Sequence, residues 1–128
     1  MNHAGRVLAY LLLTTALLAC AGPGKPPVRT LEHVVVVWLK EPGNATHRQT
    51  VLDASEVLQT IPGVRYLKSG TVIASERAIV DSSFDVALIV SFADRADMEA
   101  YLVHPLHVQL VNETLKPLVA KIRVFDFQ

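Results

Sequence analysis

The stretch His33-Val-Val-Val-Val-Trp38-Leu39 constrains the fold more than any other part of the chain. Its β-branched residues favour a strand, and the lack of polar alternation predicts a strand that is covered on both faces. Helices of the same chain can cover one face. The other face needs a second sheet, and a chain of 128 residues is long enough for only one domain. The stretch therefore predicts a homodimer, with the partner subunit covering the second face.

The N-terminal segment has the features of a bacterial export signal. Residues 7–18 form an apolar run of about a dozen residues, which is short of the ~20 needed to span a bilayer as a helix. Arg6 precedes the run, and no acidic residue does. This arrangement is typical of a signal-peptide core.

The sequence Leu17-Leu18-Ala19-Cys20 at the end of this run resembles a bacterial lipobox, and Cys20 is the only cysteine of the chain. We therefore predict a signal peptide over residues 1–19, lipidation of Cys20 and a Pro- and Gly-rich tether over residues 20–30. The alternative is an ordinary signal peptide cut near Ala19 or Ala21, with Cys20 as an incidental cysteine. The predicted location is the bacterial cell envelope, lipid-anchored and extracytoplasmic. Because Ala21 is not aspartate, the outer membrane is expected where two membranes are present.

Charge excludes one class of partner. Removal of residues 1–19 takes away one basic residue of the 12, so 11 basic residues would face 12 acidic ones. No basic run is present, so we predict no nucleic-acid partner, and contact with the membrane only through the lipid anchor.

Residue periodicity downstream of the tether predicts alternating strands and helices. Strands are predicted over residues 31–40, 64–73, 84–92 and 119–127. Helices are predicted over residues 46–60, with Thr46 as the cap, and from Asp94 onward, with an interruption at Pro105 and an end at Lys116-Pro117. The order strand, helix, strand, strand, helix, strand predicts an α+β, ferredoxin-like split βαβ fold, with helices on one side of an antiparallel sheet.

The segment Tyr101-Leu-Val-His104-Pro105-Leu-His107 places a phenol and two imidazoles close together. A pair of histidines is an incomplete zinc site, and His33 can be a third ligand only if the fold brings it near. Alternatively, His104 forms a turn with Pro105, and its imidazole bonds backbone groups that the proline leaves free. We predict no metal and no other cofactor.

Several short motifs together resemble the Dabb family, the stress-responsive dimeric α/β-barrel proteins. The motifs are His33 with Trp38 and Lys40, Ile61-Pro-Gly63-Val64, Tyr101-x-x-His104-Pro-x-His107, Lys116-Pro117 and Val124-x-Asp126-Phe127. The resemblance covers a domain over residues 31–128. It implies a dimer in which two ferredoxin-like sheets pack face to face as a barrel.

The resemblance also implies a pocket between the sheet and the helices, as in the polyketide cyclase of the family. Matching motifs and strand parity predict that the pocket is lined by His33, Val35, Val37, Val86, Leu88, Tyr101, His104 and His107. Val86 stands where the cyclase has a further histidine, which counts against the same cyclisation chemistry.

Three functions are compatible with these residues. The first is binding of a small hydrophobic molecule in the pocket. The second is a cofactor-independent lyase or cyclase, with His107 as general base and Tyr101 as the group that polarises a carbonyl. The third is a purely structural role for the buried rings. Asp126 is expected to bond backbone groups or to pair with a basic side chain.

Overall fold

The computed structural model describes residues 29–128. The predicted signal peptide, Cys20 and most of the predicted tether lie outside this range. No helix within residues 29–128 is long and apolar enough to cross a membrane. The elements in chain order are β1 (Leu31–Leu39), α1 (Ala45–Glu56), a 3₁₀ turn (Val57–Thr60), β2 (Val64–Thr71), β3 (Val86–Phe92), α2 (Arg95–Leu102), α3 (Pro105–Leu110), a π-helical turn (Val111–Leu115), α4 (Lys116–Leu118) and β4 (Val119–Phe127).

The four strands form one antiparallel sheet in the order β2-β3-β1-β4. This order confirms the predicted ferredoxin-like α+β fold. The side chains of His33, Val35 and Val37 lie on the same face as Val90 and Asp126, their partners or neighbours in register. We call this the inner face, because the helices pack against it and enclose the core.

Several predicted boundaries differ from the structure, since β1 ends at Leu39 rather than at residue 40 and β2 ends at Thr71 rather than at residue 73. The first helix begins at Ala45, and its cap is Asn44 rather than Thr46, because the Asn44 Oδ1 atom accepts a hydrogen bond from the His47 N–H at 3.0 Å. The third strand begins at Val86 and not at residue 84. The side chain of Asp85 is instead turned into the junction between β1 and α1.

The Asp85 carboxylate connects three segments of the chain. It accepts hydrogen bonds from the N–H of Leu39 at 2.9 Å, from the N–H of Gly43 at 2.7 Å, and from Arg48 at 2.8 and 3.0 Å. Gly43 has a φ of 78°, a conformation that glycine adopts without steric cost and that lets its N–H reach the carboxylate. Asp85 therefore fixes the turn that leads from the end of β1 into α1.

A lysine joins the end of β1 to the end of the last helix. The Lys40 Nζ atom donates to the carbonyl oxygens of Lys116 and Pro117 at 2.9 and 2.8 Å. A cation at this position satisfies carbonyl groups that a helix C-terminus leaves without partners. The contact gives a physical reason for the joint presence of Lys40 and the Lys116-Pro117 motif.

The opposite side of the sheet, which we call the outer face, is not covered by the helices and carries an apolar group of side chains, with Arg123 and Lys121 opposite Val36 and Trp38. Cross-strand pairing places Val34 beside Ile89 and Phe125 on this face. Phe125 is 52% exposed and Phe127 is 58% exposed in the single chain. The run in β1 is thus apolar on both faces as predicted, and its own chain covers only one of them. The outer face has the composition of an interface.

Candidate ligand site between sheet and helices

A small cavity lies between the inner face of the sheet and the helices. It encloses about 40 Å³, which is room for a few water molecules or for a very small ligand. Its walls are apolar except for one hydroxyl and three aromatic rings that carry polar atoms. The lining residues are His33, Val35, Ser55, Leu58, Leu88, Val90, Tyr101, His107, Leu110 and Leu115.

The structure brings five of the eight predicted pocket residues to this cavity, and they are His33, Val35, Leu88, Tyr101 and His107. Val37 and Val86 do not line it. These two valines pair with each other across β1 and β3, two residues beyond the Val35–Leu88 pair, and both are completely buried. At that end of the sheet, side chains fill the core.

His104 also lies away from the cavity, contrary to its assignment to the pocket. Helix α2 ends at Leu102, so Tyr101 and His104 do not share a helix face. His104 caps α3 instead, and its Nδ1 atom accepts a hydrogen bond from the Leu106 N–H at 3.3 Å. This agrees with the alternative interpretation of His104 as a turn residue before Pro105.

Tyr101 lies at the centre of a group of rings. Its ring centroid is 4.7 Å from that of His107, 5.0 Å from that of Phe92 and 6.1 Å from that of His33. Burial raises the pKa of Tyr101 to about 12. The phenol therefore keeps its proton throughout the physiological range and can donate a hydrogen bond to a carbonyl or hydroxyl group.

His107 is a neutral ring with an unused polar atom. Burial lowers its pKa below the ordinary value; the backbone of Leu102 opposes this shift, and the nearby His33 adds to it. The Nδ1 atom of His107 is buried and has no hydrogen-bond partner in the described part of the chain. A buried polar atom without a partner costs about 1–3 kcal/mol. A molecule in the cavity that bonded this atom would remove that cost.

His33 is held by an acidic side chain from the last strand. Its Nδ1 atom lies 2.7 Å from Asp126 Oδ1, and the two residues are directly opposite each other in the β1–β4 register. The carboxylate can only accept, so the Nδ1 atom carries a proton, and in this tautomer the lone pair is on Nε2. The expected partner of Asp126, a backbone group or a basic side chain, is therefore the His33 imidazole.

The helical segment from α3 to the π-helical turn supplies two lining residues that sequence patterns did not identify. Leu110 and Leu115 are five positions apart, which in an α-helix turns a side chain by about 140° to a different face. The π-helical turn Val111–Leu115 adds a residue to this turn and brings both leucines to the cavity. Single π turns of this kind are frequent at functional sites.

The histidines do not assemble a metal site in the described region. No group of three or more His, Cys, Asp or Glu side chains within residues 29–128 could hold an ion. His33 and His107 both lie beside Tyr101, with ring centroids 6.1 and 4.7 Å from that of the phenol, and the Nδ1 atom of His33 is paired with Asp126.

The lowered pKa of His107 predicts a pH-dependent stability. The unfolded chain binds a proton at the ordinary pKa of 6.5, and the folded chain binds it only at lower pH. The free energy of unfolding should therefore fall as the pH drops below 6.5 toward the folded value. The variant His107→Gln should lose this part of the dependence between pH 7 and pH 5. Urea unfolding at each pH measures it; equal slopes in His107→Gln and wild type would contradict the prediction.

Comparison with known proteins supports the fold. A family model described as Stress responsive A/B Barrel Domain (Dabb) matches residues 31–128. A Dabb family protein with a ferredoxin-like fold from Mesorhizobium loti is 26% identical, with a TM-score of 0.63 over 77% of this chain and 95% of that one. A hydroxynitrile lyase from Passiflora edulis is 23% identical, with a TM-score of 0.64 over 79% and 94%. A dimeric ferredoxin-like protein of unknown function from Thermobifida fusca is 18% identical, with a TM-score of 0.63 over 77% and 89%. No curated protein sequence matches the chain.

Proposed function

We propose that this chain, which belongs to the Dabb family of stress responsive A/B barrel domains, acts as a homodimer that binds a small uncharged molecule in the cavity between its sheet and its helices. The observation that carries the proposal is the buried Nδ1 atom of His107, which has no hydrogen-bond partner within residues 29–128 and belongs to a residue that lines a cavity with mostly apolar walls. A ligand with one hydroxyl or carbonyl group would satisfy the polar rings. Its remaining surface would contact the leucine and valine side chains.

The charge state of the rings favours a neutral ligand. Tyr101 keeps its proton, and burial favours the neutral form of His107. The carboxylate of Asp126 is already bonded to His33. No described wall of the cavity therefore offers a free, fixed charge to an ionic group, and burial of an unpaired ion is costly.

Titration with 2-butanone tests the proposal. We expect the ring C–H resonances of His33 and His107 in the NMR spectrum to shift together and to saturate, while those of His47, which lies outside the cavity, stay unchanged. The variant His107→Gln should weaken the binding, because it removes the acceptor atom. Unchanged His33 and His107 resonances up to the solubility limit of the ketone would overturn the proposal.

The homodimer is supported by the exposed apolar outer face. The solved structures that resemble the chain include proteins described as dimeric from Thermobifida fusca and Bacteroides fragilis, the latter 17% identical with a TM-score of 0.60. A second copy that covers Phe125 and Phe127 would bury the exposed aromatic rings of β4. This would supply the second covering layer that the apolar run in β1 calls for.

Lipidation of Cys20 remains our proposal for the N-terminus, with the protein anchored on the outer side of the bacterial membrane. In a bacterial host, wild-type protein should fractionate with membranes and carry the added mass of the lipid on its N-terminal peptide. The variant Cys20→Ser should lose that mass and leave the membrane fraction, because lipid chains supply the anchoring energy. Wild-type protein without a lipid adduct would refute the anchor.

A second candidate function, a cofactor-independent lyase or cyclase, is favoured by the Asp126–His33 contact. Asp126 fixes His33 with its Nε2 lone pair free, so His33 joins His107 as a possible general base beside the phenol of Tyr101. His107 remains the first choice of base, and Tyr101 the group that polarises a carbonyl. The hydroxynitrile lyase from Passiflora edulis, similar in fold, is a precedent for lyase activity on this fold.

Proton abstraction next to a carbonyl predicts hydrogen exchange. In heavy water the protein should replace the methylene protons of 2-butanone with deuterium faster than buffer alone, as measured by NMR. The variant Asp126→Asn should slow this exchange by about tenfold or more if His33 is the base, since it loses its fixed tautomer. The variant His107→Gln should abolish the exchange if His107 is the base. Exchange at the buffer rate in wild type would leave only the binding function.

A further inference from the structure

A second space, a groove in the helical layer, lies next to the ligand cavity. The groove has a volume of about 300 Å³. It runs between α1 and the helical segment that begins with α3. The lining residues are Ala54, Val57, Leu106, Gln109, Leu110, Glu113 and Thr114.

The two spaces adjoin each other along α1 and α3. Neighbouring residues alternate between them: Ala54 lines the groove and Ser55 the cavity, Leu106 the groove and His107 the cavity. Leu110 is the one residue that lines both among those that the structure describes. Its side chain is 7% exposed and stands at the last position of α3, immediately before the π-helical turn.

We propose that the cavity and the groove are two halves of one binding site and that Leu110 is the specificity-determining residue between them. This inference rests on the proposed function. The cavity alone is far smaller than the roughly 300–1,000 Å³ of typical ligand pockets, whereas the groove by itself reaches the lower end of that range. A ligand longer than a few carbon atoms has to pass the position that the Leu110 side chain occupies.

The groove defines the chemistry of the second half of the ligand. Its floor is apolar, with Ala54, Val57 and Leu106. At its rim the Gln109 Nε2 atom donates to Glu113 Oε2 at 2.9 Å, so the nearest charge is negative. An anionic tail, as in a fatty acid, would be repelled there. The site therefore fits a neutral molecule with a hydroxyl or carbonyl group at the rings and an uncharged hydrocarbon substituent in the groove.

A series of unbranched methyl ketones tests this assignment on the purified protein. The Kd of 2-butanone and of 2-nonanone is measured by NMR for wild type and for Leu110→Ala. Because Leu110 also lines the cavity, the quantity compared is the ratio of the two constants, and removal of the side chain should shift this ratio in favour of 2-nonanone by at least about tenfold, as burial of several CH₂ groups allows. The control Val108→Ala, at an exposed position of α3 that lines neither space, should change neither constant.

A second variant keeps the test decisive if Leu110→Ala folds poorly. Ala54→Leu fills the groove from α1 and should weaken 2-nonanone while sparing 2-butanone. The inference is overturned if both variants change the two ketones by the same factor, although 2-butanone still binds. Failure of 2-butanone to bind any form of the protein overturns the proposed function itself, so the two failures are distinguishable.

Discussion

Replacement of Asp85 by alanine is expected to lower the free energy of unfolding by about 3–5 kcal/mol, the loss typical of removing one partner from a buried ionic and hydrogen-bonded pair. Asp85 is 2% exposed. Its removal leaves the buried N–H of Leu39 and the partly buried N–H of Gly43 without this acceptor, and Arg48 without its carboxylate. These groups hold the end of β1 against the start of α1, so the loss affects the whole sheet–helix packing.

The pH dependence of the free energy of unfolding is an independent test of the Asp85 contacts. Burial by itself would raise the pKa of Asp85, but the hydrogen bonds from Leu39 and Gly43 and the Arg48 guanidinium outweigh it, so the pKa lies below the ordinary value of 3.8. The stabilisation is therefore complete above pH 3.8 and is lost as the pH falls toward the folded pKa. The alanine variant should lack this acid-dependent loss.

Urea unfolding at pH 7 measures the effect, and Asp53→Ala is the matched control. Asp53 is exposed, and its contact is a hydrogen bond from the Gln49 side chain, so its replacement should cost less than about 1 kcal/mol. Asp85→Asn should lie between the two, because it retains one oxygen acceptor but no charge. An unfolding free energy for Asp85→Ala within about 1 kcal/mol of wild type would show that the Asp85 hydrogen bonds do not stabilise the junction between β1 and α1.

The fold was largely predictable because the apolar pattern of β1 and the turn residues are local signals. Pro62 and Gly63 follow the first helical segment. Gly63 adopts a φ of 91°, and a Cβ atom there would lie only 3.1 Å from the Cβ of Asp97, so the position favours glycine. The cap of α1 was assigned to Thr46 rather than Asn44, because two good capping residues stand two positions apart and only the actual turn at Gly43 selects between them.

Side-chain alternation predicted the β1 residues of the candidate site, whereas Tyr101 and His107 on the helices were predicted from the motif that resembles the Dabb family. The alternation of side chains along β1 places His33 and Val35 on the inner face without knowledge of the partner strands. The contact with Asp126 depends on which strands pair and in which register, which the sequence of β4 does not reveal. Leu115 reaches the cavity through the π-helical turn, which has no simple periodicity signal.

The second large effect is expected at the outer face, where Val34→Glu should convert the proposed dimer into a monomer. Val34 lies between Ile89 and Phe125 in the sheet register, on the face that has no cover in the single chain. A carboxylate there would be buried without a partner on association. Two-fold symmetry places two such charges in one interface, and about 4 kcal/mol of penalty raises the dissociation constant roughly a thousandfold.

Sedimentation velocity at micromolar concentration distinguishes the outcomes, since wild type should sediment as a dimer and Val34→Glu as a monomer. Val108→Glu makes the same change at an exposed valine of α3, on the helical side of the molecule, and should remain dimeric. The fold of the Val34→Glu monomer should persist, because the new carboxylate faces water when no partner is bound, and circular dichroism checks this. A folded Val34→Glu protein that is still dimeric would place the interface elsewhere. Something other than this dimer contact would then have to cover the outer face of β1.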